Sequence, residues 1–291
     1  LTIKKINAFI MSYTDFIQPE AAHALLGKEK VLFIDSSFAL NDKAWGRNEY
    51  EQAHIPGALY ADLDKDLSGK IVAGETGRHP LPEKSDLVAT FSAWGIGPDT
   101  QVIAYDAGAG FMAAARLWWL LKWAGHDQVA VLEGGKKAWV ENGYSLDNGV
   151  VKPVSTVFTA GFRDALQADA SAVLAAIAGG SRCVIDSRTA DRYAGQNETI
   201  DPVAGHIPEA ISRPFNAHIA ADGTVAPPEV VKGYFAPEFE KGEVVFYCGS
   251  GVTAAFNVLL AVYAGYPFPK LYAGSWSEWI TDPKRPVKTG V

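Results

Sequence analysis

A chain of 291 residues with 48 % hydrophobic side chains is long enough for one large or two ordinary domains with buried cores. The formal net charge of −7, with no basic stripe against it, excludes a general affinity for nucleic acid or anionic membrane surfaces. The longest apolar stretches, such as Phe256 to Gly265, are much shorter than the roughly 20 residues a membrane-spanning helix needs.

Two cysteines, Cys183 and Cys248, are too few for a disulfide framework in a chain of this size. Both are expected as thiols in a reducing compartment, which points to the cytoplasm. The chain starts at Leu1 rather than Met, so a preceding segment is expected to have been removed or numbered out, and nothing present resembles a signal peptide.

In chain order, Pro19 to Leu26 carries a short helical pattern ahead of Val31-Leu32-Phe33-Ile34-Asp35, a continuous apolar run closed by an acid. Such a run predicts a buried parallel strand ending at a turn. The polar segment Tyr50-Glu51-Gln52-Ala53-His54-Ile55-Pro56-Gly57-Ala58 follows. Gln101 to Asp106 predicts another strand, leading through Ala107-Gly108-Ala109-Gly110 into an apolar helix that passes Arg116 and Trp123. Trp118, Trp119 and Trp123 on that helix are spaced for packing, with the second half of the chain as one candidate surface. Val129 to Leu132 predicts one more strand, closed by Glu133-Gly134-Gly135-Lys136-Lys137-Ala138-Trp139, whose glycines suit a structural turn.

The second half repeats this order. Cys183 to Asp186 answers Val31 to Asp35, which makes Cys183 a core residue of a buried strand. Gly205-His206-Ile207-Pro208-Glu209-Ala210 answers Ala53 to Ala58, Val244 to Cys248 answers Val102 to Asp106, and Ala273-Gly274-Ser275-Trp276-Ser277-Glu278-Trp279 answers Gly134 to Trp139. The spacing from Asp35 to His54 is 19 residues, and from Asp186 to His206 it is 20. Two copies of one α/β domain follow, at residues 1–150 and 166–291, with a linker at 151–165 that includes Pro153 to Ala165. Strands alternating with helices argue for a mostly parallel sheet covered on both faces. His54 and His206 occupy the same place in both copies, so they are expected to fix a turn and not to catalyse.

The copies differ at one decisive position, where the first has Asp106 and the second has Cys248. The stretch Gly242-Glu243-Val244-Val245-Phe246-Tyr247-Cys248-Gly249-Ser250-Gly251-Val252-Thr253-Ala254-Ala255 reads as a strand, a tight loop and a helix. Gly249 and Gly251 let several backbone N–H groups turn toward one point, and the helix N-terminus adds partial positive charge there. The thiolate is the nucleophilic form of cysteine and a helix N-terminus favours it, so Cys248 is the candidate reactive sulfur.

The doubled domain, the paired His-Ile-Pro segments, the Gly-Ser-Trp-Ser-Glu-Trp segment and above all Cys248 to Ala254 resemble the tandem-domain rhodanese-family sulfurtransferases over nearly the whole chain. Within that family, the thiosulfate branch has basic residues directly after the cysteine and the 3-mercaptopyruvate branch has Gly-Ser-Gly, as this loop does. The resemblance implies two tandem rhodanese-like domains, the first non-catalytic and the second catalytic. It also implies a Cys248 thiolate that takes sulfane sulfur from 3-mercaptopyruvate, releases pyruvate and passes the sulfur to cyanide or to a thiol acceptor such as thioredoxin or a low-molecular-weight thiol. The loop residues Gly249, Gly251, Val252 and Thr253 would cradle the persulfide. No Cys/His cluster has metal-ligand spacing and no phosphate-binding Gly-Lys-Ser/Thr loop is present, so neither a metal nor a nucleotide cofactor is expected.

A carboxylate donor calls for a fixed cation, and the planar fork of arginine suits it. Arg188 and Arg192 lie just past the strand that opens the catalytic copy. The family match makes Arg192 the substrate-binding residue and gives Arg188 an ion-pairing role beside it. The same resemblance implies that Ser250, His79 and Asp64 form a serine, histidine and aspartate constellation reaching across the domains. The chain departs from the branch in having no Arg or Lys between Tyr193 and Gly205, where a second substrate arginine is usual, which makes Arg213 the candidate substitute. A thiosulfate donor and a persulfide carrier without its own small-molecule donor are the alternatives. A phosphatase-type loop would need an arginine where Ala254 stands.

Overall fold

The computed structural model describes residues 12–108, 112–179 and 182–290; Leu1 and the loop residues Ala109 and Gly110 lie outside the described residues. The first half runs β1 (Phe16–Ile17), α1 (Pro19–Leu25), β2 (Val31–Asp35), α2 (Trp45–Gln52), β3 (Leu59–Tyr60), α3 (Lys84–Ala93), β4 (Gln101–Tyr105), α4 (Ala113–Trp123), β5 (Val129–Leu132) and α5 (Gly135–Glu141). The second half runs β6 (Gln167–Ala168), α6 (Ala170–Gly179), β7 (Arg182–Asp186), α7 (Ala190–Tyr193), β8 (Ile211–Ser212), α8 (Pro228–Phe239), β9 (Glu243–Tyr247), α9 (Thr253–Tyr263), β10 (Lys270–Tyr272) and α10 (Ser275–Trp279). Single 3-10 turns lie at Asp164–Leu166 and Phe215–His218.

Among the described residues each half forms a sheet of five strands in the same order, β1-β5-β4-β2-β3 and β6-β10-β9-β7-β8, and the pairings within both are parallel. Both faces of such a sheet are covered, so its central strands are apolar without alternation; all five residues of β4 are buried. The strands β4 and β9 stop one residue short of their predicted ends. Asp106 and Cys248 therefore stand just beyond the carboxyl ends of matching strands, where ligand sites form in α/β sheets. Cys248 leaves the ladder because its N–H donates to Ser275 Oγ, at 3.1 Å.

The repeat extends to individual contacts. The Ile55 N–H donates to Tyr105 Oη at 3.0 Å, and the Ile207 N–H donates to Tyr247 Oη at 3.1 Å. His54 Nδ1 meets Tyr50 O at 2.7 Å with its ring stacked on Tyr50, and His206 Nδ1 meets Tyr193 O at 2.8 Å with its ring stacked on Tyr193. Both histidines fix turns, as the repeat implies.

The helices α4 and α9 pack against each other, so one hydrophobic core runs through both halves. Trp118 stacks on Phe268 of the second half with ring centroids 5.5 Å apart, and Trp119 stacks on Trp123 at 5.7 Å. Every residue of α4 is buried, including Arg116, the pattern of a helix enclosed on all sides. Cys183 lies in the core, where burial pushes its thiol up to about 11. Among the described residues, no helix is long and apolar enough to cross a membrane.

Candidate active site

The loop after β9 is held from outside by its carbonyls. The N–H groups of Trp276 and Ser277 donate to Cys248 O at 3.0 Å and to Gly249 O at 2.9 Å, and Arg116 Nη1 donates to Gly251 O at 3.4 Å. In a trans peptide the carbonyl and the next N–H point opposite ways, so these bonds turn the amides of Gly249, Ser250 and Val252 toward the inside of the loop. The Gly251 N–H already donates to Cys248 Sγ at 3.1 Å. Gly251 has φ +75°, and a Cβ there would lie 2.3 Å from Ala273 O, so both backbone conformation and space require glycine.

The first domain provides an internal comparison. Asp106 occupies the cysteine position and accepts N–H bonds from Gly108 at 3.0 Å and Met112 at 3.3 Å, so backbone donors just past the matching strand hold a carboxylate there. In the second copy the backbone donor is the Gly251 N–H and its acceptor is the Cys248 sulfur.

Residues of the first domain close the other side. His79 Nδ1 lies 2.8 Å from Ser250 Oγ, while its Nε2 faces Asp64 Oδ1 at 3.4 Å. Ser250, His79 and Asp64, 171 residues apart in sequence between Ser250 and His79, are thus brought together. Asp64 also pairs with Lys43 at 2.7 Å. Burial above all, then the Arg116 charge, lowers His79 to about 4 against the pull of Asp64, so its imidazole is neutral at pH 7. In the tautomer that carries its proton on Nε2, toward the carboxylate, Nδ1 is the acceptor for the Ser250 hydroxyl.

A cavity of about 170 Å³ opens above Cys248, lined by Arg78, His79, Arg192, Gly249, Ser250, Val252 and Thr253 with an apolar wall that includes Phe38 and Leu63. A larger groove of about 670 Å³ lies at the opposite end of β9, beside Gly242 and Glu243, away from the sulfur. Among the described residues no group of three or more His, Cys, Asp or Glu is placed to hold a metal ion.

The predicted arginines separate. Arg192 lines the cavity, with Nε and Nη2 bonded to Glu198 at 3.0 and 2.9 Å and Nη2 bonded to Asp201 at 3.0 Å. Arg188 does not line the cavity and is no substrate ligand in this arrangement. It is 2 % exposed, and its guanidinium is taken up by Asp186, by Gly205 O at 2.7 Å and by Glu198 at 3.5 Å, over the Trp276 ring. Arg188 thus stands behind Glu198, which in turn holds Arg192. Arg213 is not the substitute either, because its Nη2 bonds Glu238 at 2.5 Å and its guanidinium lies over Tyr234.

Three site residues carried no signal in the sequence. Among the described residues Arg116 is fully buried without a carboxylate partner, donating to the Leu67, His79, Pro80 and Gly251 carbonyls, and burial lowers it to about 10. Ser275, at φ +56°, receives the Cys248 N–H and donates to Tyr272 O at 2.8 Å. Arg78 pairs with Asp201 across the domain boundary. Arginine beside a histidine in a loop, or in an apolar helix, reads as a surface residue until its neighbours are known.

A model of the rhodanese-like domain matches residues 18–142 and 169–282. A Pseudomonas aeruginosa protein named "Probable 3-mercaptopyruvate sulfurtransferase" is 43 % identical over 284 residues, covering 96 % of this chain and 100 % of its own length. The "Putative thiosulfate sulfurtransferase SseB" of Mycobacterium tuberculosis is 37 % identical over 278 residues, covering 93 % of this chain and 95 % of its own. Among solved structures, the 3-mercaptopyruvate sulfotransferase SseA of Escherichia coli superposes with a TM-score of 0.79 at 27 % identity, over 91 % of this chain and 100 % of that one.

Proposed function

The chain belongs to the tandem-domain rhodanese family of sulfurtransferases, which work through a cysteine persulfide, and from that premise we propose that its sulfur donor is 3-mercaptopyruvate. In this reading the Cys248 thiolate attacks the donor sulfur. The S–S bond forms as the C–S bond breaks, and the electron pair passes to carbon as the enolate of pyruvate. The enolate takes up one proton and the new persulfide releases one, so the half-reaction balances. A thiol acceptor, either thioredoxin or a low-molecular-weight thiol, or cyanide then attacks the outer sulfur and restores Cys248.

The observation that carries this reading is the hydrogen bond between Ser250 and His79 beside a loop that has no basic side chain. An enolate leaving group needs a proton, and a neutral imidazole poised on a hydroxyl can move one. Sulfite leaving thiosulfate needs none. The N–H fan of the loop stabilises the persulfide anion with preorganised donors and no cationic side chain. A cavity of about 170 Å³ suits a donor of a few heavy atoms, which favours turnover of a small molecule over a carrier role.

A thiosulfate donor is the second reading, favoured by the 37 % identical relative of that name. Steady-state kinetics with both donors separate them, with Cys248→Ser as the blank. Mercaptopyruvate is expected to give the higher kcat/KM and to release pyruvate. A higher value for thiosulfate, or pyruvate release equal to that of Cys248→Ser, overturns the proposal.

A further inference from the structure

We infer that Arg116 is a positioning residue of the sulfur transfer: from α4 of the first domain its guanidinium fixes the His79 segment against the Cys248 loop and holds an uncancelled positive charge where the two meet. The inference rests on the proton transfer through Ser250 and His79 proposed above and adds the residue that prepares that pair.

One side chain reaches both halves of the site. Arg116 Nη2 donates to His79 O at 3.2 Å and to Pro80 O at 3.4 Å, Nη1 donates to Gly251 O at 3.4 Å, and Nε donates to Leu67 O at 3.4 Å. The Gly251 N–H faces Cys248 Sγ, and His79 Nδ1 faces Ser250 Oγ. A shift of the guanidinium therefore moves the sulfur cradle and the imidazole together. Arg116 does not line the cavity over Cys248, so it acts through these two groups and not on the donor.

Carbonyls alone do not require a charge, since a neutral donor could bond them. Burying a cation without an anion is costly, and the neighbouring cations avoid it. Lys43 pairs with Asp64, Arg78 with Asp201, Arg192 with Glu198 and Asp201, and Arg188 with Asp186. Arg116 is 0 % exposed, and among the described residues its hydrogen bonds go to carbonyls. The titratable side chain whose own carbonyl it holds is His79.

Arg116 on α4, Arg78 next in the chain and Lys43 ahead of α2 all disfavour the His79 imidazolium, while Asp64 favours it. Asp64 and Lys43 largely cancel each other at 2.7 Å, and Arg78 is held by Asp201. From the second domain Ser250 meets Nδ1, and Cys248 and Arg192 line the same cavity. The Phe38 ring stands edge-on to the imidazole. Burial is the largest cause that lowers His79 to about 4, and the Arg116 charge is the next. A neutral imidazole can take the serine proton at pH 7, and an imidazolium cannot.

The test follows the imidazole C–H resonances of His79 against pH by NMR in wild type, Arg116→Met and Arg116→Lys, with His79→Asn assigning the signal. Mercaptopyruvate kinetics are measured on the same proteins. Wild type is expected to titrate at about 4. Arg116→Met removes the charge and should raise the inflection by about one pH unit or more, whereas Arg116→Lys keeps the charge and should stay within about half a unit of wild type. At pH 7, kcat of Arg116→Met should fall by about tenfold or more with KM within about twofold, and Arg116→Lys should recover part of the loss. If Arg116→Met does not fold, Arg116→Gln, which keeps amide donors without the charge, is read the same way. An inflection that stays at the wild-type value in the neutral variants, or that moves equally in Arg116→Lys, overturns the role, as does a raised KM with kcat unchanged. The NMR titration needs no turnover, so failure of wild type to use mercaptopyruvate overturns the donor reading alone.

Discussion

His79 Nδ1 stands 2.8 Å from Ser250 Oγ, so a histidine of the first domain and a serine of the second share one hydrogen bond inside the cavity over Cys248. If the pair moves the proton that the enolate requires, Ser250→Ala should lower kcat with mercaptopyruvate by about 100-fold, the lower range for general acid–base catalysis. Sulfur transfer from thiosulfate should stay within about threefold of wild type, since its leaving group takes no proton. Measuring kcat with both donors checks this, and an equal loss on both would remove the relay.

The same histidine sets a pH dependence. The unfolded chain binds a proton at an ordinary histidine pKa, and the folded chain binds it only near 4 because His79 is buried beside Arg116. The unfolded state therefore holds more protons between these values, and stability rises with pH across the window. The contribution is fully present above about 6.5 and is lost as pH falls toward 4. Urea unfolding at several pH values should show a shallower dependence in this window for His79→Asn than for wild type. Turnover of mercaptopyruvate should also fall as pH drops through about 4, where Nδ1 no longer accepts the serine proton.

Gly251→Ala places a Cβ 2.3 Å from Ala273 O at a φ of +75°, so the loop must open and the Gly251 N–H leaves Cys248 Sγ. Intact mass after donor treatment should show one added sulfur on the wild type and none on this variant. Gly249→Ala meets the movable end of Arg78 instead, at 2.8 Å. It should fold, take up sulfur and bind donor more weakly, which steady-state KM reports.

Arg188→Met removes the partner of a fully buried carboxylate, Asp186, and should cost about 3–5 kcal/mol of stability. Chemical denaturation measures the loss. A variant as stable as wild type with a raised KM would return Arg188 to the substrate site.

The repeat, the order of strands and helices and the loop at Cys248 were all legible in the chain. They depend on short-range preferences: β-branched runs for buried strands, glycine at a forced positive φ, apolar helices directly after the loop. Ser250, His79 and Asp64 were legible only through resemblance, because nothing local in Arg78-His79-Pro80 says what it faces. Arg213 misled because a residue beside a strand end can turn either way, and Glu238 draws it away from the cavity.

The amino-acid order by itself determined two α/β domains and put one cysteine in an N–H cradle, since backbone geometry over a few residues suffices for that. Only the tertiary structure decided which cations surround that cysteine. Packing α4 against α9 brings the two domains together, buries Arg116 beneath the loop and sets Arg78 against Asp201. Such contacts join side chains far apart in the chain, and their energies depend on burial and distance, which no local pattern of residues encodes.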